Sequence, residues 1–232
     1  RGLVAYGGAK AGSYLVFIPK GFTALQMGID RERQELPSET VAWDWFKDNY
    51  PAIASWLKQF KKEAKARTDK GDYWWELRAC AYYKKFAQPK IFYQKFQVKP
   101  CFLYDNKHSL FNDSMWFLSV PDKSLLALLC SRIGWWLITE FCPRIQNGAQ
   151  LIWDNFRQIP IPQELPQVLN EYADKMMAAR NDEAEFLRLS KEIDNIIATL
   201  YNLTEELNFI INNDTKCRMY DELNVHEYAE KK

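Results

Sequence analysis

Apolar residues in this chain change their spacing partway along it, and that change limits the folds available. Between positions 91 and 120 they come in short aromatic and β-branched runs, IFYQKFQV, CFLY and MWFLSV, separated by Pro100 and by a turn-forming segment at 105–113. Runs of this kind are strands. Beyond Pro162 they recur at helical spacing instead: Val168, Leu169, Tyr172 and Met176 behind Pro166, a break at Asn181-Asp182, then Phe186, Leu189, Ile193, Ile196, Ile197 and Leu200. A period of two and a period of 3.6 cannot belong to one uniform architecture. They predict an α+β fold, with a mixed α/β domain and a small β-sheet over 1–162. An acidic C-terminal element over 163–232 follows, built on an antiparallel helical hairpin.

Other elements follow from local signals. Residues 14–18 (YLVFI) are apolar and are stopped by Pro19 and Gly21, which predicts a buried strand. Pro51, with Asn49 or Tyr50 at the cap, opens a helix to about Arg67. Its apolar face carries Ile53, Trp56, Leu57, Phe60 and Ala64, and Lys58, Lys61, Lys62 and Lys65 lie opposite, with Lys70 before the Gly71 stop. Asp122 caps an apolar helix through Leu125, Leu128, Leu129, Ile133, Trp136 and Leu137 that Pro143 ends. Residues 144–150 read as a polar loop, and Thr204 starts one last short helix.

The formal net charge is only +1, but it hides a split. Residues 1–160 carry 23 Lys and Arg against 15 Asp and Glu, whereas 161–232 carry 8 against 15. The window 58–99 alone holds 12 basic and 4 acidic residues with ten aromatics among them. A basic, aromatic-rich module ahead of an acidic element is the footprint of a polyanion binder.

Several chemistries lack their residues. No apolar run approaches the ~20 residues of a membrane span. Five cysteines without a CxxC pair, and only His108 and His226 besides, argue against zinc and against a disulfide framework, which fits a cytoplasmic protein. Gly7-Gly8 lacks the spacing of a phosphate loop, no Asn-Pro-Pro-Tyr-like tetrapeptide is present, and neither histidine has the company of a triad. Asp72 with Glu76-Leu77-Arg78 is faintly like the metal-binding core of restriction nucleases, but Arg78 stands where that core has Lys. No catalytic residue is therefore assigned, and the chain is expected to be non-catalytic. Its start at Arg1, without Met, leads to the expectation of a fragment of a longer polypeptide.

At Trp74-Trp75-Glu76-Leu77-Arg78, followed by Tyr82-Tyr83, Phe86, Pro89-Lys90-Ile91 and Tyr93, the sequence resembles the TaqI-like C-terminal specificity domain. The ordered agreement continues through Lys20-Gly21, Tyr50-Pro51, residues 111–114, the leucine-rich stretch 125–136, the closing Ile159-Pro160-Ile161-Pro162 and residues 200–206. Cys130 departs from it, standing where the family usually has Asn. That family supplies target recognition to restriction-modification enzymes that fuse an adenine-N6 DNA methyltransferase to an endonuclease. The resemblance implies double-stranded DNA as the partner, along with upstream methyltransferase and nuclease domains of the same polypeptide. S-adenosylmethionine and magnesium would be used only in those domains, so this chain would itself hold no cofactor and no metal.

For such a module Lys58, Lys61, Lys62, Lys65, Lys70 and Lys90 are the candidate backbone contacts, since phosphate neutralisation positions a protein on any duplex. Arg78 is the first candidate for reading a base, because a guanidinium fork matches the O6 and N7 of guanine. Glu76 can accept from cytosine, orient Arg78, or hold the loop as a structural ion pair with it. Asn112, Ser114, Asn147 and Gln150 lie in predicted turns and can pair with adenine or bridge through water. Trp74, Trp75, Tyr82 and Tyr83 read as core anchors. Two rival functions stay open: a helical protein–protein scaffold, or dimerisation module, built on the seam 186–200, and an RNA-binding domain.

Overall fold

The computed structural model describes residues 15–107, 109–111, 115–179 and 182–214. The chain parts into two compact units between Lys85 and Phe86. This corrects the boundary expected at Pro162, which falls inside the second unit.

The first unit is helical. Helix α1 spans Phe22–Gln26, α2 Glu39–Asn49, α3 Pro51–Lys58 and α4 Lys61–Ala66. The Ser38 side chain caps α2 by accepting from the Val41 N–H, and Pro51 forbids its continuation because it has no N–H to donate. The single helix expected from Pro51 to about Arg67 is two, because the chain turns at Gln59 and Phe60 between α3 and α4. Residues 15–18 form no strand: Leu15 and Val16 are exposed, and only Ile18 is buried, its carbonyl accepting from the Leu77 N–H at 2.7 Å. An apolar run marks burial or extension, but a strand also needs a neighbour to pair with. The core of this unit is Ile18, Ala42, Phe46, Ala54, Tyr73, Trp74 and Trp75.

A 3-10 turn, Tyr83–Ala87, leads to the strands β1 (Lys90–Gln94), β2 (Phe96–Gln97), β3 (Phe102–Asp105) and β4 (Met115–Leu118). Strand β1 lies centrally between β3 and β4, antiparallel to both, with Phe92 opposite Leu103 on one side and Phe117 on the other. Helices α5 (Lys123–Cys130) and α6 (Arg132–Phe141) follow, then β5 (Arg144–Ile145), β6 (Gly148–Gln150) and the short α7 (Trp153–Phe156). Strands β2, β6 and β5 make a second antiparallel sheet. The expected loop at 144–150 is therefore a hairpin. The architecture is α+β.

The single apolar helix expected after Asp122 is two, bent by 75°. Ser131 makes the bend: its hydroxyl donates to the Leu128 carbonyl at 2.6 Å and accepts from the Gly134 N–H at 2.9 Å, ending α5 and capping α6 with one atom. A Cβ on Gly134 would stand 1.9 Å from that same carbonyl, so the close turn requires glycine there. Cys130 is buried in the core of the second unit. Among the described residues no single helix is long and apolar enough to cross a membrane.

Helices α8 (Val168–Ala178), α9 (Glu183–Leu200) and α10 (Glu205–Asn213) are the last elements among the described residues, with Thr204 capping α10 as anticipated. Their apolar faces supply Leu169, Met176, Phe186, Leu189, Ile193 and Ile197 to the core that holds Leu126, Leu129 and Ile138. Polar ties fix the docking: Asn170 accepts from the Ser124 N–H, and Asp194 accepts from the Arg132 N–H at 2.9 Å. The seam 186–200 is thus packed against the chain's own helices.

Candidate nucleic-acid interface

The Trp74-Trp75-Glu76 segment is the centre of the first unit. Both indoles are buried; Tyr73 stacks on Trp75 at 4.7 Å, Trp43 packs against Trp74 at 4.6 Å, and the Trp75 indole donates to Thr23. As anchors these two rings are where the sequence placed them. Tyr82 is not an anchor, being exposed, while Tyr83 packs edge-on against Phe17 and donates to the Arg78 carbonyl.

Glu76 corrects the reading that gave it a base or an Arg78 pair. Its carboxylate is fully buried and accepts three backbone N–H groups, from Gly21 at 3.1 Å, Thr23 at 2.9 Å and Asp72 at 2.9 Å. Such a cage satisfies the carboxylate from within the fold and leaves nothing to offer a nucleotide. Asp72 is likewise engaged, by Arg31 at 2.8 Å and Lys20 at 3.5 Å. The likeness of these carboxylates to a metal-binding core therefore ends at the sequence.

Lys90 is the second correction. It is 0% exposed, and its ammonium donates to the Phe86 and Gln88 carbonyls and to Asp105 at 2.8 Å. Burial pushes the Asp105 carboxyl upward, but hydrogen bonds from Lys90 and Ser109 outweigh it and hold the group below the ordinary carboxylate range. Lys90 is a clamp between the 3-10 turn and the sheet, not a phosphate contact.

The other lysines divide. Lys58 and Lys62 are exposed and have no acidic partner among the described residues. Lys65 pairs with Glu39 at 2.6 Å, and Lys70 closes the end of α4 by donating to the Lys65 and Arg67 carbonyls. Lys61 is half-buried, 6.0 Å from the Trp74 ring centre. Arg78 is exposed and approaches the Tyr82 hydroxyl. Lys84 and Lys85 add exposed charge that the sequence reading did not single out.

In the second unit the β5–β6 hairpin carries Asn147 and Gln150. Residues 144–147 are all exposed, and Gln146 adopts a positive φ of 54° in the two-residue turn. The base is held firmly. Gly148 pairs across to Ile145 and sits so close to β2 that a Cβ would meet the Gln97 carbonyl at 2.3 Å. The Gln150 N–H donates to Pro143 at 2.8 Å, which leaves the Gln150 side chain half-buried and Asn147 the better presented of the two. The Asn147-Gly148 dipeptide marks a turn near this ribbon but one residue late, since the turn itself is Gln146-Asn147 and Gly148 begins β6. Asn112 and Ser114 lie outside the described residues.

Trp56 and Phe60 were expected on a buried face, yet they are 59% and 45% exposed and touch edge to face at 5.7 Å. Ile53, Leu57 and Ala64 of the same stripe stay half-buried, so only these two rings face outward. Among the described residues no cluster of His, Cys, Asp and Glu is arranged to hold a metal. No protein-family model matches this chain, and no curated protein matches its sequence.

Proposed function

We propose that the chain is a sequence-specific double-stranded DNA recognition module, non-catalytic in itself, serving an adenine-specific methyltransferase with a fused endonuclease in the same polypeptide. The observation that carries this reading is the β5–β6 hairpin, an anchored two-stranded ribbon whose exposed turn presents Gln146 and Asn147, while Arg144 in β5 is held by Glu140 and the Thr139 carbonyl. A two-stranded ribbon fits the major groove, where Asn and Gln address adenine. Lys58, Lys62, Lys84 and Lys85, together with Arg78, add the sequence-independent attraction that a duplex reader needs. S-adenosylmethionine and magnesium chemistry would belong to the upstream domains.

The test is the binding of a fluorescently labelled duplex over a series of salt concentrations, followed by selection from a randomised duplex library. The expected result is a steep fall of affinity with salt, about 0.9 in log K per log salt for each phosphate neutralised, and enrichment of one short site. Tighter binding to single-stranded RNA would favour the RNA-binding alternative. A salt-independent response without enrichment overturns the proposal.

A further inference from the structure

The second sheet, in the order β2-β6-β5, has one covered face and one open face. Residues directly opposite each other in an antiparallel pair point to the same side, and successive residues alternate. The register sets Ala149 between Gln97 and Arg144. Gln97 and Ala149 are buried, and Arg144 is tied to the end of α6 through Glu140 and the Thr139 carbonyl, so this side faces the core. The other parity brings Phe96 opposite Gln150 and Ile145 opposite Gly148 on the open face. Phe96 and Ile145 are each 39% exposed. Gly148 puts no side chain between them: a Cβ there would stand 3.0 Å from the tip of the Phe96 ring, which therefore lies along the glycine backbone. Gln150 stands at one end of this apolar strip, half-buried, and its amide makes no hydrogen bond among the described residues.

We infer that this open face reads an A·T base pair in the major groove, with the Gln150 amide on the adenine and Phe96 and Ile145 against the thymine 5-methyl group. The inference rests on the duplex-reading function proposed above and names what the ribbon recognises. Across the major groove an A·T pair presents the adenine N7 acceptor, the adenine N6 donor, the thymine O4 acceptor and then a methyl group. A free amide beside an apolar strip is complementary to that order. The amide NH₂ donates to N7, its oxygen accepts from the N6 amine, and the methyl group meets carbon. A G·C pair has no methyl group to offer, and the minor-groove edges of both pairs lack one. Uracil lacks it too, which sets the strip against RNA. In water the amide has solvent partners and the two apolar side chains have none; contact with the methyl group removes that apolar surface from water.

The experiment uses the 232-residue chain to select from a randomised duplex library. Binding is then measured to the enriched site and to copies in which each thymine in turn is replaced by uracil, or each adenine by 7-deazaadenine. Uracil deletes only the methyl group, and 7-deazaadenine deletes only the N7 acceptor. The site should contain an A·T pair at which uracil weakens binding about fourfold, the worth of one buried methyl group, and 7-deazaadenine about tenfold. Phe96→Ala and Ile145→Ala should each bring the thymine-to-uracil ratio at that position towards one. Gln150→Ala should abolish the 7-deazaadenine penalty and keep the uracil penalty. Each result is a ratio within one protein variant, so a general loss of affinity or of folded protein cancels, and the substitutions in the DNA test the unmodified chain directly. Equal binding of thymine and uracil at every position overturns the inference, as does a uracil penalty that persists in both Phe96→Ala and Ile145→Ala. A site made of G·C pairs alone, or salt-dependent binding that enriches no site, overturns it as well. Enrichment without a uracil penalty removes only this inference, whereas duplex binding that is absent or independent of salt removes the function on which it rests.

Discussion

The carboxylate of Glu76 accepts the Thr23 N–H at 2.9 Å across 53 residues of chain, and with the Gly21 and Asp72 bonds it ties the start of α1 to the segment that carries both buried tryptophans. Replacing it with alanine leaves three inward-facing donors unmet. Glu76→Ala should therefore destabilise the first unit by about 3 kcal/mol, and Glu76→Gln, which keeps one acceptor oxygen, by roughly half as much. Chemical denaturation followed by tryptophan fluorescence measures this. A melting curve unchanged in Glu76→Ala would mean that the cage contributes nothing.

The buried Lys90–Asp105 pair makes the second unit acid-sensitive in a definable direction. Asp105 has a lowered pKa in the folded state. Its contribution is therefore complete above the unfolded value of about 4 and is lost as pH falls through the folded value. Denaturation midpoints should drop on acidification below about pH 4, and Asp105→Asn should flatten that limb. Lys90→Met leaves a buried carboxylate without its cation and should cost about 3–5 kcal/mol at neutral pH.

Backbone and base contacts should separate cleanly by mutation. Lys62→Ala should weaken random and selected duplexes alike and reduce the salt slope by about one unit, since an exposed, unpaired ammonium meets phosphate only. Asn147→Ala, at the hairpin turn, should cost about 1–3 kcal/mol on the selected site and leave random duplex unaffected. Paired binding isotherms on both duplexes check this. An equal loss on both for Asn147→Ala would move the base reader elsewhere, to Arg78 first.

Truncation after Pro162 should not leave a folded second unit. It removes Leu169, Met176, Phe186, Leu189, Ile193 and Ile197 from the core shared with Leu126, Leu129 and Ile138. The shortened chain should lose its cooperative transition for this unit and associate through the uncovered apolar faces of α5 and α6. Size exclusion and calorimetry report the outcome; a monomer with the parental transition would restore a boundary at Pro162.

The strands at 90–118, the helical end with its break at Asn181-Asp182 and its cap at Thr204, and the burial of Trp74 and Trp75 are all legible in the sequence. Each rests on a local rule: side-chain period, a capping oxygen, or the size of an apolar ring. What tertiary structure alone decided is the state of the charges. Glu76 and Lys90 look like surface groups because glutamate and lysine usually are, and the partners that let them be buried lie up to 55 and 15 residues away. The exposure of Trp56 and Phe60 depends in the same way on where neighbouring segments pass, whereas the bend at Ser131 is local chemistry that an apolar period does not report. Period and propensity report which face of an element is apolar. Only the packed chain determines what that face meets, and therefore which cations and rings remain free to meet a ligand.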